Sequence, residues 1–300
     1  MIWQTSRFRI DLTRPQVMGI VNVTPDSFSD GGRHAQADAA RAHCDRLLEQ
    51  GADILDIGGE STRPGARLPD TAEQLARVLP VLRHAVTLGV PVSVDTADPV
   101  VMAQALALGV DILNDVRALR APGALEVAAA HPSAGVCLMH MQGEPGSMQV
   151  APHYDNDDVV GAVAAFLAER RDAALAAGIA GERIALDPGI GFGKTPAHNL
   201  ALARQQRRLL GLGCPLLLGW SRKSTLGGLT GRPVDERIAA SVAAALAAVH
   251  HGAAVVRVHD VAETVDALKV WRALTSSQPN DDACILPDGQ PAHDFHETPP

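Results

Sequence analysis

Eight short apolar runs alternate with longer helical patterns along this chain, and this alternation constrains the fold most strongly. The runs hold few polar residues, as expected of parallel strands that are covered on both faces. The predicted strands are 17–23, 54–58, 90–95, 111–114, 135–139, 183–187, 215–219 and 254–258. Eight β-α units in roughly 260 residues favour a closed barrel over a doubly wound sheet. We therefore predict an α/β protein with a single-domain (β/α)8 TIM barrel.

The stretches between the strands have helical periodicity, and the chain ends change character. The predicted helices are 39–50, 71–88, 99–108, 123–130, 159–177, 199–210, 236–250 and 262–274. Residues 1–14 are predicted as an N-terminal extension and residues 15–275 as the barrel. Residues 276–300 lose periodicity and gather Pro, Asp and Gly, so we expect a disordered tail there.

Composition excludes several classes of protein. A formal net charge of −8 argues against a nucleic-acid binder. No uninterrupted apolar stretch reaches about 18 residues, so no membrane span is expected. The four cysteines are far apart and form no C-x-x-C pair, which is typical of inert thiols in a reducing compartment; they are Cys44, Cys137, Cys214 and Cys284. We expect a cytoplasmic protein.

In such a barrel the functional residues lie at the carboxyl ends of the strands and in the loops that follow. Asp187 ends the sixth predicted strand and opens the glycine-rich run Asp-Pro-Gly-Ile-Gly-Phe-Gly-Lys-Thr. The phosphate-loop pattern would need a glycine at Pro188, and the dinucleotide pattern would need one at Lys194. The run is therefore interpreted as a ligand loop that does not bind a nucleotide.

Two further polar residues end neighbouring strands. Asp95 ends the third strand and Asn114 the fourth, so with Asp187 they converge on one barrel mouth. Carboxylates and an amide suit a flat heterocycle with several N–H donors. Each residue taken alone could instead cap a helix.

Other loops favour an anion. Arg63 stands beside Ser61 and Thr62 after the second strand, and a guanidinium beside hydroxyls suits a carboxylate or phosphate. Arg257 and His259 alternate along the eighth strand, and phosphate sites in this fold favour the last two loops. A diphosphate is the predicted guest. The long polar loop 22–32 reads as a movable lid, or as an ordinary turn before a helix.

Together these loops resemble those of the dihydropteroate synthase family over about residues 15–272. The matching runs are Met18–Gly32, Gly58–Gly65, Ser93–Thr96, Asn114–Val116, Met139–Gly143, Asp187–Thr195, Ser221–Ser224 and Arg257–Val261. One departure is Trp220, where relatives commonly place a smaller or more flexible residue, so packing at the aminobenzoate end is left open.

The resemblance implies an enzyme that joins 4-aminobenzoate to 6-hydroxymethyl-7,8-dihydropterin diphosphate. Diphosphate and 7,8-dihydropteroate are the products, formed by a cation-like, SN1-type substitution. The family implies Mg²⁺ as cofactor, a (β/α)8 barrel, a homodimer and sulfonamide inhibitors. Two alternatives share the pterin site: a pterin-binding methyltransferase and a non-catalytic pterin-binding paralogue. The long loops after the first two strands and the anion site favour the synthase.

The resemblance also assigns residues. The pterin-binding residues are Ile20, Asp95, Asn114, Met139, Asp187 and Lys223. The diphosphate-binding residues are Asn22, Arg63, Arg257 and His259, and Asn22 is also the Mg²⁺ ligand. The 4-aminobenzoate-binding residues are Phe28, Thr62, Arg63, Pro64, Phe192 and Ser224. The catalytic residues are Asp30, Asp95, Lys223, Arg257 and His259, with proton donation by His259 as an alternative to anion binding.

Overall fold

A computed structural model describes residues 1–23, 33–60, 69–144 and 146–275, with residues 33–35 described in their backbone only. Within these ranges eight parallel strands close a barrel in the order β3 to β10, with β10 pairing with β3. The strands are β1 (Ile2–Gln4), β2 (Arg9–Asp11), β3 (Gln16–Asn22), β4 (Ile54–Gly58), β5 (Val92–Asp95), β6 (Ile112–Asp115), β7 (Gly135–Met139), β8 (Ile184–Asp187), β9 (Leu216–Leu218) and β10 (Ala253–Val258). The predicted (β/α)8 TIM barrel is confirmed.

A helix follows each barrel strand. The helices are α1 (Arg33–Glu49), α2 (Thr71–Ala85), α3 (Pro99–Ala107), α4 (Ala124–Ala130), α5 (Val159–Ala176), α6 (Pro196–Arg204), α7 (Ser224–Thr230), α8 (Ile238–His250) and α9 (Val261–Thr275). The predicted helix 199–210 is shorter than expected, since α6 gives way to a 3-10 segment at Gln206–Leu212. Helix α7 was not predicted, because its two glycines disfavour helix in isolation.

Short polar side chains fix where several helices begin. Asp70 accepts from the backbone N–H of Glu73 before α2, and Asp98 accepts from those of Val100 and Val101 before α3. Each oxygen satisfies amide donors that the first helical turn leaves without a partner. The helices therefore start directly after the loops that lead away from the barrel mouth.

The core has two parts because strand side chains alternate between the helices and the barrel interior. Outward residues such as Leu55 and Ile57 pack against the helices in one large apolar cluster. Inward residues at the amino ends of the strands form a second cluster. Its buried members are Trp3, Ile10, Met18, Ile54, Ile112, Cys137, Ala185, Leu217 and Val255.

Residues 1–14, predicted as an extension, carry an antiparallel hairpin of β1 and β2 at the amino-terminal end of the barrel. Trp3 is fully buried, and its Nε1 donates to the carbonyl oxygen of Arg183 at 2.9 Å. The guanidinium of Arg7 pairs with Asp111 at 2.6 Å. The hairpin thus plugs the barrel at the end opposite the predicted site.

Two expectations from composition concern helices and thiols. No helix in the described ranges has both the length and the apolar character needed to cross a bilayer. The three described cysteines, Cys44, Cys137 and Cys214, are free and buried. Cys284 and the predicted tail 276–300 lie outside the described residues.

Candidate active site

Strand register brings the predicted polar residues to one level of the barrel. Asn22 pairs with Gly58, Gly58 with Asp95, and Asp95 with Asn114 across three neighbouring strand pairs. Met139 and Asp187 form the corresponding pair on β7 and β8. Because parallel strands share one carboxyl edge, these side chains surround a single mouth.

Asn114 and Asp187 are both buried at that mouth. The carboxylate Oδ1 of Asp187 accepts from the backbone N–H of Gly189 at 2.7 Å. Burial raises the pKa of Asp187, and the nearby Lys223 ammonium opposes this rise. The Asn114 Nδ2 donates to Asp56 Oδ2 at 3.2 Å, which leaves the Asn114 carboxamide oxygen free to accept.

Arg257 lies between two carboxylates. Its Nε donates to Asp56 Oδ2 at 2.6 Å, and its Nη2 donates to Asp95 Oδ2 at 2.7 Å. Burial by itself would lower the pKa of Arg257, but the two carboxylates outweigh it and raise that pKa. Burial raises the pKa of Asp95 to about 7; Arg257 opposes this rise and Asp56 adds to it.

Asp56 is the member of this network that sequence reasoning missed. It is fully buried on β4, where register places it beside Ser93. Within the described part of the chain, Asp56 Oδ1 and Ser93 Oγ are buried without a hydrogen-bond partner. A signal for Asp56 was available, since it is the lone charge inside the apolar run Ile54–Gly58. Its contact with Arg257 spans 201 positions and depends on barrel closure.

Lys223 connects the seventh and sixth loops of the barrel. Its Nζ donates to the carbonyl oxygen of Ile190 and lies 4.8 Å from the centre of the Phe192 ring. Burial lowers the pKa of Lys223 to about 8, while Asp187 opposes the change. Ser224, the next residue, is exposed as the first residue of α7. Lys223, Phe192 and Asp187 therefore form one group.

His259 and its neighbours occupy the adjoining part of the mouth. The His259 Nδ1 lies 3.0 Å from Ser221 Oγ, which also accepts from the His259 backbone N–H. Arg222 pairs with Asp260 at 2.5 Å. Trp220 is buried in the main apolar core, so its bulk is absorbed by packing between barrel and helices.

The run after Asp187 depends on glycine for close packing. Gly189 has φ +67°, and a Cβ there would lie 1.9 Å from the carbonyl oxygen of His140. Gly193 has φ +63°, and a Cβ there would lie 2.4 Å from the carbonyl oxygen of Gln142. Side chains rarely adopt this left-handed backbone, and here they also lack space. The loop consequently packs backbone to backbone against the segment after β7.

The remaining predicted site residues divide into two groups. Ile20 and Met139 are buried, and Met139 clusters with Val116, Met141 and Met148, against which Phe192 packs. They supply apolar surface beside the polar layer. Another group lies outside the described residues: Phe28, Asp30, Thr62, Arg63 and Pro64.

Asn22 is the predicted ligand for Mg²⁺. In the described ranges no cluster of three or more His, Cys, Asp or Glu side chains could hold a metal ion. Mg²⁺ nevertheless keeps several waters and commonly takes one or two protein oxygens together with substrate phosphates. Asn22 is half-buried at the end of β3 and offers one hard amide oxygen, which fits that role.

This arrangement can bind a polar heterocycle and balance an anion. Asp95, Asn114 and Asp187 provide acceptors on three strands, while Lys223 and Arg257 provide donors. Partial burial strengthens each interaction relative to water. The described side chains at this mouth are therefore suited to ligand binding and charge balance.

Comparison with known proteins agrees with this geometry. Residues 18–259 match a family model described as pterin binding enzyme. The chain is 56% identical over 279 residues to a dihydropteroate synthase of Neisseria meningitidis serogroup B, covering 91% of this chain and 97% of that protein.

Two solved structures are also similar. One is Xanthomonas albilineans dihydropteroate synthase with 4-aminobenzoic acid, which is 52% identical with a TM-score of 0.86 and covers 93% of this chain and all of that chain. Another is Yersinia pestis dihydropteroate synthase in a sulfonamide drug complex, which is 46% identical with a TM-score of 0.87 and covers 92% of this chain and all of that one. The chain therefore belongs to the pterin-binding enzyme family and, within it, to the dihydropteroate synthases.

Proposed function

We propose that the chain carries out the reaction of its family at the barrel mouth. The bond between the pterin methylene carbon and a diphosphate oxygen breaks, and diphosphate leaves with the electron pair. The aromatic amine of 4-aminobenzoate then attacks the cation-like carbon and loses a proton, which gives 7,8-dihydropteroate. The dihydropterin ring is electron-rich and spreads the developing charge. The site must therefore bind and orient the two substrates and exclude water.

Recognition of the pterin is assigned to the acceptors at the carboxyl strand ends. Asp187 accepts from the amino and ring N–H groups, Asn114 contributes its amide oxygen, and Lys223 donates to the ring carbonyl and a ring nitrogen. Ile20 and Met139 form apolar walls. The single observation that carries the proposal is that Asp95 and Asn114 are paired in register on neighbouring strands, at the same barrel mouth as buried Asp187. Such acceptors match a heterocycle whose edge is rich in N–H donors.

Charge compensation is assigned to the opposite side of the site. Asn22, Arg63, Arg257 and His259 hold the diphosphate, and Asp95 stabilises the developing cation. Asn22 would hold Mg²⁺, which would supply positive charge at the diphosphate. The ion pair between Arg257 and Asp95 supports a link between diphosphate binding and cation stabilisation. The same guanidinium that is assigned to the diphosphate also balances the charge of the Asp95 carboxylate.

The aminobenzoate site is assigned to Phe192 and Ser224 together with Phe28, Thr62, Arg63 and Pro64. Asp30 is proposed as a second carboxylate that stabilises the cation. These residues are assigned from the family resemblance. That the chain binds 4-aminobenzoate at all is supported by the similar X. albilineans structure with 4-aminobenzoic acid and the Y. pestis structure in a sulfonamide drug complex. Sulfonamides are accordingly proposed as competitors of 4-aminobenzoate for this chain.

Assembly and location are also proposals. We infer a homodimer. The exposed apolar side chains of Leu229 and Val234, after β9, support a surface on which a second copy of the chain packs. We infer a cytoplasmic location from the free, buried thiols of the described residues. Light scattering on the purified protein checks the dimer.

The proposed reaction is tested by measuring diphosphate release and dihydropteroate formation together. Both products are expected only when the dihydropterin diphosphate, 4-aminobenzoate and Mg²⁺ are all present. Chelation of Mg²⁺ should stop turnover, and resupply should restore it. A paralogue that only binds pterin would yield neither product. A methyltransferase would instead transfer a methyl group from methyltetrahydrofolate to a cobalamin partner.

A further inference from the structure

Lys194 is a buried cation that the proposed reaction does not use. The chain has three lysines, Lys194, Lys223 and Lys269, and Lys194 is 2% exposed. A lysine is almost never fully buried unless its ammonium has partners. Burial lowers the pKa of Lys194 well below its usual value, and Asp187 opposes this shift. Its position follows the glycines of the ligand loop.

The three nearest acceptors around Lys194 match its protons in number, and a fourth, the carbonyl oxygen of His140, lies farther away at 3.4 Å. Its Nζ lies 2.9 Å from His140 Nδ1, 2.9 Å from the carbonyl oxygen of Gly189 and 3.0 Å from that of Phe192. An ammonium has three N–H donors, so all three are used. His140 must then accept through Nδ1, and burial together with Lys194 lowers the pKa of His140 to about 3, which keeps the ring neutral.

Side chains hold every carbonyl oxygen of the loop from Gly189 to Gly193. Lys194 takes those of Gly189 and Phe192, Lys223 takes that of Ile190, and Gln149 takes that of Gly191. Tyr154 donates to the carbonyl oxygen of Gly193 at 2.9 Å. Lys194 is the member of this set that binds two loop carbonyls and also contacts His140, the residue directly after β7.

The loop held in this way carries two groups of the proposed site. Gly189 donates its N–H to the Asp187 carboxylate, and Phe192 packs its ring beneath Lys223. Loss of the Lys194 ammonium would leave His140 Nδ1 and the Phe192 carbonyl oxygen without this donor, while the Gly189 carbonyl oxygen would keep only the Phe192 N–H. Hydrogen bonds left unmade at buried groups are costly enough to reorganise the backbone. Both Asp187 and the Phe192 ring would then lose their fixed positions.

We propose that Lys194 is a positioning residue, whose ammonium serves as an internal cation that holds the loop of residues 189–193 ready for the pterin. The inference rests on the proposed function, because it explains how the pterin end of that site is preorganised. Lys194 touches neither substrate; it acts through Gly189 and Phe192.

The test compares Lys194→Met with Lys269→Met, which removes an exposed ammonium by the same substitution. Affinity for 6-hydroxymethylpterin is measured by calorimetry well below the unfolding midpoint of each variant. Lys194→Met is expected to weaken binding about tenfold, the size of one lost hydrogen bond to a charged group. Lys269→Met should bind as the wild type does. Unchanged affinity in a folded Lys194→Met protein would overturn the inference, even if its unfolding midpoint falls.

A second variant covers the case in which Lys194→Met does not fold. Lys194→Ala is refolded with propylammonium, which replaces the atoms removed from the side chain, or with 1-propanol as the uncharged control. Recovery of pterin binding with propylammonium alone supports the internal cation. Equal recovery with propanol, or none with either, rejects it. Calorimetry needs no turnover, so a wild type that binds pterin but forms no product rejects only the proposed reaction.

Discussion

Asp56 and Arg257 illustrate how burial determines the contribution of an ion pair to the free energy of unfolding. Asp56 is fully buried, and its Oδ2 accepts from Arg257 and from Asn114. Arg232 and Glu236 form an ion pair on the surface at 2.8 Å, compared with 2.6 Å between Arg257 and Asp56. Water solvates the surface charges when that pair breaks, whereas Arg257 would keep a charge that Asp95 alone must balance.

We therefore expect Asp56→Ala to lower the free energy of unfolding by about 3–5 kcal/mol, since it removes one partner of a buried pair. Glu236→Ala, the matched surface change, should cost about 0–1 kcal/mol. Urea unfolding of both variants measures the difference. Equal losses would show that the Asp56–Arg257 contact contributes no more than an exposed pair.

The pKa values of Asp95 and Lys223 predict a narrow pH optimum. Asp95, with its pKa raised to about 7, is protonated below that pH and then cannot stabilise the cation. Lys223, with its pKa lowered to about 8, loses its proton above that pH and its donor capacity weakens. The competent form therefore dominates between pH 7 and 8, and kcat/KM for the dihydropterin diphosphate should fall on both sides. A flat profile from pH 6 to 9 would contradict these two assignments.

Predictability from sequence differed among these residues for a physical reason. Asp95, Asn114 and Asp187 each end a strand, so alternation and strand order were enough to bring them together. The contact of Arg257 with Asp56 required the closed barrel. Arg257 lies on β10 and Asp56 on β4, and these strands come close only because β10 pairs with β3, the strand next to β4. Sequence position alone therefore left Arg257 as an anion ligand without its carboxylate partners.

At the scale of elements, short segments were the hardest to predict. The eight barrel strands were predicted because each is a mostly apolar run. The β1–β2 hairpin has strands of three residues each, and α7 has seven residues with two glycines. Segments this short gain their stability from tertiary packing, which a local pattern does not encode.

The ligand loop gives a prediction about glycine. Gly189→Ala introduces a Cβ that would lie 1.9 Å from the carbonyl oxygen of His140, on a left-handed backbone. The loop must move, so we expect pterin affinity to fall by at least about tenfold, as for a lost charge-assisted contact at Asp187.

Gly228→Ala is the control for Gly189→Ala, because a Cβ in that helix meets nothing within 4 Å. It should leave binding unchanged and stabilise the protein by roughly 0.5–1 kcal/mol. Calorimetry and urea unfolding measure both effects, and wild-type pterin affinity in Gly189→Ala would show that the loop tolerates displacement.

At the scale of the whole molecule, stability and chemistry lie at opposite ends of the barrel. The carboxyl ends of the strands carry buried charges, such as Asp56 and Asp187, that are costly to desolvate. The amino ends carry an apolar plug that includes Trp3 and Ile10 from the hairpin. This division is expected of the fold, in which the face at the amino ends of the strands contributes to stability and the active site lies at the carboxyl ends.

Trp3→Ala tests that division. The substitution removes a fully buried side chain together with its hydrogen bond to the Arg183 carbonyl oxygen. It should cost about 3–5 kcal/mol of unfolding free energy through lost burial and the cavity left behind. Because the plug lies one barrel length from the mouth, kcat/KM of the folded variant should stay within about twofold of wild type, well under the tenfold that 1.4 kcal/mol at the site would produce. Unfolding and kinetics are measured on the same preparation. A stable variant would mean that the hairpin is dispensable, and a large loss of kcat/KM at full folding would mean that the plug shapes the mouth through the strands.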